Sequence, residues 1–267
     1  MMSDVDIQAL AATVKTIAAE ELLPRFTRVS RSHKADGSIV TEADLAAQAR
    51  LAETLARQWP DYALLGEEMS SAQQASLLAG AAQGLWVLDP LDGTSNYAAG
   101  LPYFAVSLAL VNAHGVQLGV VYDPLRDECF TALKGQGAWL NGARLQVRDQ
   151  GVDLSQSLAT VDFKRLPASL ASRMAAAPPY ASQRSLGSVA LDWCWLAANR
   201  FHVYLHGKQR LWDYAAGHLV LTEAGGLSCT LDGEALLDLS GGPRSAVGAG
   251  SAGLFRQWCD YLQIQQR

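Results

Sequence analysis

Apolar residues in the N-terminal segment, Ile7, Leu10, Ala11, Val14, Ile17, Ala18 and Leu22, recur at helical spacing until Pro24 ends the run. The pattern predicts an amphipathic helix. A polar stretch covers 30–38. Thr41 then suits an N-cap, with Asp44 three positions on, where a capping box usually has Glu. Leu45, Ala49, Ala52, Leu55 and Trp59 continue a second helix, stopped by Pro60.

Shorter apolar runs follow. Residues 62–65 predict a strand running into Gly66-Glu67-Glu68, 72–78 a small helix, and 85–88 a strand ending in Asp89-Pro90-Leu91-Asp92-Gly93. Stretches 104–111 and 116–121, joined by Asn112-Ala113-His114-Gly115, predict a hairpin, and 128–133 and 138–140 add strands to the same sheet. Pro178-Pro179 marks a break. Beyond it, Ser188 suits the cap of a helix through Ala198, and 201–205 reads as a strand. Residues 212–224 form a strong helical pattern stopped by Gly225-Gly226. A last strand at Ala246-Val247 precedes a terminal helix from about Leu254. Helices mixed with hairpins predict mixed α and β structure with sheets that are not purely parallel.

Composition narrows the class. Of the 267 residues, 49% are hydrophobic and 18% charged, which suits a folded globular chain of one large unit or two closely packed halves. A net charge of −5 argues against broad binding to nucleic acid or anionic membranes. No apolar run is long enough to cross a bilayer, and the opening MMSDVDIQAL lacks the basic and apolar regions of a secretory signal, so the expected location is cytoplasmic. Cys129, Cys194, Cys229 and Cys259 form no C-x-x-C pair and read as buried thiols; the five histidines form no H-E-x-x-H pattern. Gly248-Ala249-Gly250-Ser251-Ala252-Gly253 matches G-x-G-x-x-G, but too little chain follows for a strand-helix-strand unit. It reads as a glycine-rich turn into the last helix.

The chemistry concentrates in acids placed beside structure-ending signals: Glu67-Glu68, Asp89, Asp92 and Asp213. Asp89 and Asp92 follow a buried strand, Pro90 fixes φ between them, and Gly93 permits a tight turn that can aim both carboxylates and the Leu91 carbonyl at one point. Thr94 and Ser95 add hydroxyls and amides at a predicted helix start, a ready anion site. Two carboxylates ~4 Å apart repel by about 4 kcal/mol at an effective dielectric of about 20, so such a cluster calls for cations. Oxygen donors without His or Cys favour Mg²⁺. Simpler roles compete at each position. Asp-Pro-Leu-Asp-Gly also makes a type I turn, Glu67-Glu68 a solvated turn, Asp213 a favourable charge at a helix N-terminus, and Asp44 a cap.

Residues 86–97, Trp86-Val87-Leu88-Asp89-Pro90-Leu91-Asp92-Gly93-Thr94-Ser95-Asn96-Tyr97, resemble the signature of the inositol monophosphatase family. Trp212-Asp213-Tyr214-Ala215-Ala216-Gly217, with Glu223-Ala224-Gly225-Gly226, is similar to its second signature, and Gly66-Glu67-Glu68 to a third element, all in the family's order. The resemblance implies a layered α-β-α-β-α sandwich of the inositol monophosphatase and fructose-bisphosphatase type. It implies a single catalytic unit over 1–267, with a metal- and phosphate-binding half over 1–150 and a substrate-side half over 151–267. The implied activity is Mg²⁺-dependent hydrolysis of a small phosphate monoester, with two or three Mg²⁺ per site and inhibition by lithium.

In its terms Glu67, Asp89, the Leu91 carbonyl, Asp92 and Asp213 ligate metal, and Gly93, Thr94 and Ser95 hold phosphate. A metal-bound water, oriented by Glu67 and Thr94, attacks phosphorus, and Asp44 supports Thr94. The expected partners are a small phosphorylated substrate and a second copy in a homodimer, with neither nucleic acid nor membrane.

One departure bears on specificity. The family's inositol enzymes carry a glutamate seven residues before the second-signature aspartate; here His206 stands there, followed by Gly207-Lys208-Gln209-Arg210. His206 could still bond a hydroxyl, and Lys208 and Arg210 could favour a second anionic group. Ser188 is a further candidate substrate contact. The leading expectation is therefore a phosphatase for inositol phosphate or a related sugar or polyol phosphate. The alternatives are a phosphatase for a 3′-phosphoadenosine compound, NADP or fructose bisphosphate, and a non-catalytic binding protein.

Overall fold

The computed structural model describes residues 5–27, 32–33 and 39–265; most of the polar stretch 30–38, and the first four residues of the opening segment, lie outside the described residues. Helix α1 (Ile7–Ile17), capped by the Asp6 carboxylate, runs into a π-helical turn over Ala18–Leu22 and a 3₁₀ turn over Leu23–Arg25 that contains Pro24. Two-residue strands β1 (Ser32–His33) and β2 (Ile39–Val40) pair antiparallel, and α2 (Glu42–Gln58) follows. Strand β3 (Ala63–Gly66), helix α3 (Ser71–Ala79), strand β4 (Leu85–Asp92) and the short α4 (Thr94–Ala99) come next. Then come β5 (Ala105–Asn112), β6 (Gly115–Asp123), β7 (Glu128–Leu133), β8 (Gly137–Leu140) and β9 (Ala143–Leu145). The rest of the chain forms β10 (Leu158–Asp162), α5 (Ala168–Ala176), β11 (Ser182–Arg184), α6 (Val189–Ala197) and β12 (Val203–Gln209). It closes with α7 (Leu211–Glu223), β13 (Leu227–Cys229), β14 (Arg244–Ala249) and α8 (Ala252–Leu262).

Strands β3 to β9 form one sheet in sequence order, parallel only between β3 and β4, where α3 makes the crossover. A second sheet has the order β11-β10-β12-β14-β13, parallel across its first three strands and antiparallel beyond. Side-chain alternation along the strands explains the layering. In β5, Val106, Leu108 and Leu110 pack with α1 and α2, while Ala105, Ala109 and Val111 pack with α6 and α7. In β12, Tyr204 faces α6 and α7, and Val203 and Leu205 face the core containing Met174 of α5 and Trp258 of α8. The layers are thus α1/α2, the first sheet, α6/α7, the second sheet, and α5/α8, the expected α-β-α-β-α sandwich. Gly119 lets α7 approach closely, since a Cβ there would lie 2.9 Å from the Ala216 Cα.

Several elements depart from the sequence pattern. The buried row of α2 is Ala43, Ala47, Leu51 and Leu55, and Leu45 is 52% exposed. The buried Asp44 bonds inward, and this turns the helix away from the simplest apolar stripe. Strand β4 does not stop at Leu88. It continues to Asp92, with Asp89 opposite Ser107, Asp92 opposite Ala105, and a register shift between them. Pro90 has no N–H to give to the ladder, so the strand must bulge there. Strand β12 starts at Val203 and extends through polar residues to Gln209, because β14 pairs with it that far. The glycine-rich segment closes β14 and enters α8, capped by Ser251. Among the described residues no helix is long and apolar enough to cross a membrane, and the four cysteines are buried and not in disulfides.

Candidate active site

The ends of β3 and β4 and the starts of α4, α6 and α7 surround a cavity of about 630 Å³. Glu67, Asp89, Leu91, Asp92, Gly93, Thr94, Ser95, Ser188, His206 and Asp213 all line it. Asp44 lies behind this wall, fully buried.

Asp44 serves two purposes at once. Its Oδ2 accepts from the Thr41 N–H at 2.8 Å and the Thr41 hydroxyl at 2.6 Å, completing the capping box of α2. Its Oδ1 faces the Thr94 hydroxyl at 3.0 Å, and the same hydroxyl lies 2.9 Å from the Leu91 carbonyl. One hydroxyl proton cannot fully serve both acceptors, so the Thr94 hydroxyl is held between the two. Burial raises the Asp44 pKa, against the pull of its bonds from Thr41 and Thr94.

Gly93 turns the chain from β4 into α4 with φ of +94°; a Cβ there would lie 3.0 Å from the Tyr103 carbonyl oxygen. Among the described residues no side chain caps α4, and the amides of a helix's first turn have no partner within the helix.

Asp89 and Asp92 come from β4, and Asp213 comes from α7. The Asp89 carboxylate accepts from the Leu91 N–H at 3.0 Å. Asp92 Oδ2 accepts from the Ser188 hydroxyl at 2.5 Å and the Ala190 N–H at 2.7 Å. Asp213 Oδ2 accepts from the Arg210 N–H at 2.8 Å at the start of α7, so the helix-start role and a place on the cavity wall coincide. Burial, followed by repulsion from Glu67, Asp92 and Asp213, pushes Asp89 well above the usual carboxylate range. Burial, followed by repulsion from Asp92, does the same for Asp213. Burial pushes Asp92 up to about 6, although Ser188, Ala190 and Val189 pull it down.

Among the described residues no three carboxylate, imidazole or thiol side chains close around a point as an ion cage. The acids instead line a common wall where each raises the cost of ionising the next. The donors are all oxygen, and a hard divalent cation would relieve that repulsion.

A second wall follows β10. Asp162, Lys164 and Arg165 line the cavity there, and the sequence pattern did not single them out. The available signal was a charged tetrapeptide, Asp162-Phe163-Lys164-Arg165, immediately after an apolar strand. His206 Nε2 lies 3.1 Å from Asp162 Oδ2, and its Nδ1 accepts from the Lys208 N–H at 3.2 Å, so both ring nitrogens are engaged within the protein. Lys208 and Arg210 do not line the cavity; the Arg210 guanidinium reaches the Gly241 carbonyl at 3.4 Å. The buried Asp192, also on the wall, accepts from the Tyr103 hydroxyl at 2.9 Å, and burial holds its carboxyl well above the usual range.

The model of the inositol monophosphatase family matches residues 2–258. The chain is similar to the Nus factor SuhB of Haemophilus influenzae, 38% identical over 213 residues covering 78% of each chain. It is similar to inositol monophosphatase 1 of Bos taurus, 32% identical over 242 residues, covering 88% of this chain and 82% of that one. Its fold superposes on the solved Thermotoga maritima IMPase with a TM-score of 0.79 at 27% identity, covering 96% of this chain and 94% of that one.

Proposed function

The chain belongs to the inositol monophosphatase family, and on that premise we propose that it is a Mg²⁺-dependent phosphatase of a small phosphate monoester. The observation that carries this reading is the convergence of Glu67, Asp89, Leu91, Asp92 and Asp213 on one cavity wall beside the start of α4. Acids alone would repel a phosphate, and the anion-binding turn alone would need no acids; together they fit a phosphate bridged to the protein through cations.

Glu67, Asp89, the Leu91 carbonyl, Asp92 and Asp213 would hold the metal. Bound Mg²⁺ supplies positive charge against the phosphate dianion and lowers the pKa of water. The protein's own part is positional. Gly93, Thr94 and Ser95 present amides to the phosphate oxygens. Asp44 fixes the Thr94 hydroxyl, so that Thr94 and Glu67 orient water on the side facing phosphorus. Lithium inhibition and a homodimer belong to the same proposal. With both His206 nitrogens engaged internally, the position that would read an inositol hydroxyl is occupied by a protein contact, which supports a substrate among sugar and polyol phosphates more broadly.

The deciding experiment is phosphate release from a panel of monoesters with Mg²⁺ and with EDTA. Turnover that requires Mg²⁺ is expected; equal release in both would sink the reading. The Nus factor relative supports a second reading, in which this fold binds a macromolecular partner. That reading requires retention of a partner in pull-downs together with no turnover of any ester.

A further inference from the structure

The wall after β10 has an arrangement that the hydrolytic machinery does not use. Asp162 closes a 3₁₀ turn over Phe163–Arg165 by accepting from the Lys164 N–H at 3.0 Å. The same carboxylate lies 3.5 Å from Arg165 Nε and 3.1 Å from His206 Nε2. Gly207 allows β12 to press against this turn, since a Cβ there would fall 1.8 Å from the Arg165 carbonyl oxygen. The turn is therefore clamped from two sides, and it carries Lys164 and Arg165 on the cavity wall. Burial keeps His206 below its ordinary pKa, so the cations of this turn are Lys164 and Arg165.

We propose that Lys164 and Arg165 form an anion subsite that selects phosphate monoesters bearing a second anionic group, a phosphate or a carboxylate, on the same small scaffold. The inference rests on the phosphatase reading, which places the reacting phosphate at the acid wall. A cavity of about 630 Å³ is of ligand size and has room for both ends of such a molecule. Arg165 is anchored by Asp162, and among the described residues Lys164 is held through its backbone, so one cation is set in place and the other adapts to the ligand.

The test separates this subsite from turnover by using non-hydrolysable probes. Calorimetric titrations with Mg²⁺ present compare alkane bisphosphonates of graded chain length with the matching monophosphonates, and phosphonocarboxylates form the third arm. Kinetics compare fructose bisphosphate with fructose 6-phosphate. The doubly anionic probes are expected to bind about tenfold more tightly than the singly anionic ones, with the advantage falling to about twofold or less in Lys164→Ala/Arg165→Ala. Both positions are exposed, and the melting temperature of the variant checks that it folds. The phosphonocarboxylate arm decides which second anion is preferred. Equal affinities at every chain length would overturn the proposal, as would an advantage that survives in the double variant. A binding advantage without hydrolysis of any ester would support the subsite and overturn the phosphatase reading alone.

Discussion

Ser188 donates its hydroxyl to Asp92 Oδ2 at 2.5 Å, across 96 residues of sequence and between the start of α6 and the end of β4. The same oxygen takes the Ala190 N–H, and the Val189 N–H also bonds this carboxylate, so the start of α6 fixes how Asp92 is turned. Ser188 is thereby a positioning residue for an acid of the site as well as the cap of α6, where its side chain accepts from the Leu191 N–H.

Ser188→Ala removes one hydrogen bond to a buried charge, worth about 1.5–3 kcal/mol, and a helix cap, worth about 0.5–2 kcal/mol. Titration of activity against Mg²⁺ should show a half-saturation raised about tenfold, with Ser188→Thr recovering most of the loss. An unchanged Mg²⁺ requirement in Ser188→Ala would show that the contact does not position Asp92.

Thr94 stands between Asp44 and the Leu91 carbonyl. Thr94→Ala should lower kcat by about 10²–10⁴-fold, in the range of a positioned proton-transfer group, while Thr94→Ser keeps the hydroxyl and most of the rate. Steady-state kinetics on any accepted monoester decides it. A Thr94→Ala enzyme with near-normal kcat would remove the hydroxyl from the mechanism.

The acids make stability depend on pH in a defined direction. Burial and mutual repulsion raise Asp89 and Asp213 well above the usual range and Asp92 to about 6. The folded chain then keeps protons that the unfolded chain has lost, so this contribution is present at low pH and lost as pH rises through the folded values. In EDTA these groups therefore cost stability increasingly as pH climbs from about 4 through about 6 and beyond. Mg²⁺ competes with the same protons, so its stabilising increment should grow over that window. Melting temperatures with and without Mg²⁺, subtracted at each pH, isolate the effect from other titrating groups. An increment independent of pH would mean that the ion binds elsewhere.

Gly207→Ala tests the clamp on the second wall. Its Cβ would fall 1.8 Å from the Arg165 carbonyl oxygen, a contact that only backbone movement can relieve. A cost of about 1–3 kcal/mol is expected, with a fall of about 2–12 °C in melting temperature. Differential scanning calorimetry reads it directly, and an unaltered transition would show that the turn is not held as tightly as the geometry requires.

Local patterns in the sequence determined much of this protein. Period and punctuation marked α1, α2, α7 and the β5–β6 hairpin, because amphipathic spacing and caps act over a few residues. The acids of the site were legible for the same reason, since each stands beside a strand end, a glycine turn or a helix start. Local pattern did not reveal how far β4 and β12 extend, because their polar ends are ordered by partner strands distant in sequence. Nor did it show that Asp162, Lys164 and Arg165 face the acids while Lys208 and Arg210 do not. A charged residue after a strand carries no periodic signal, and its direction is set by what packs against it. Tertiary structure alone decided that Ser188 would hold Asp92 and that Asp162 would occupy His206, because hydrogen bonds between separate layers exist only once the layers have stacked.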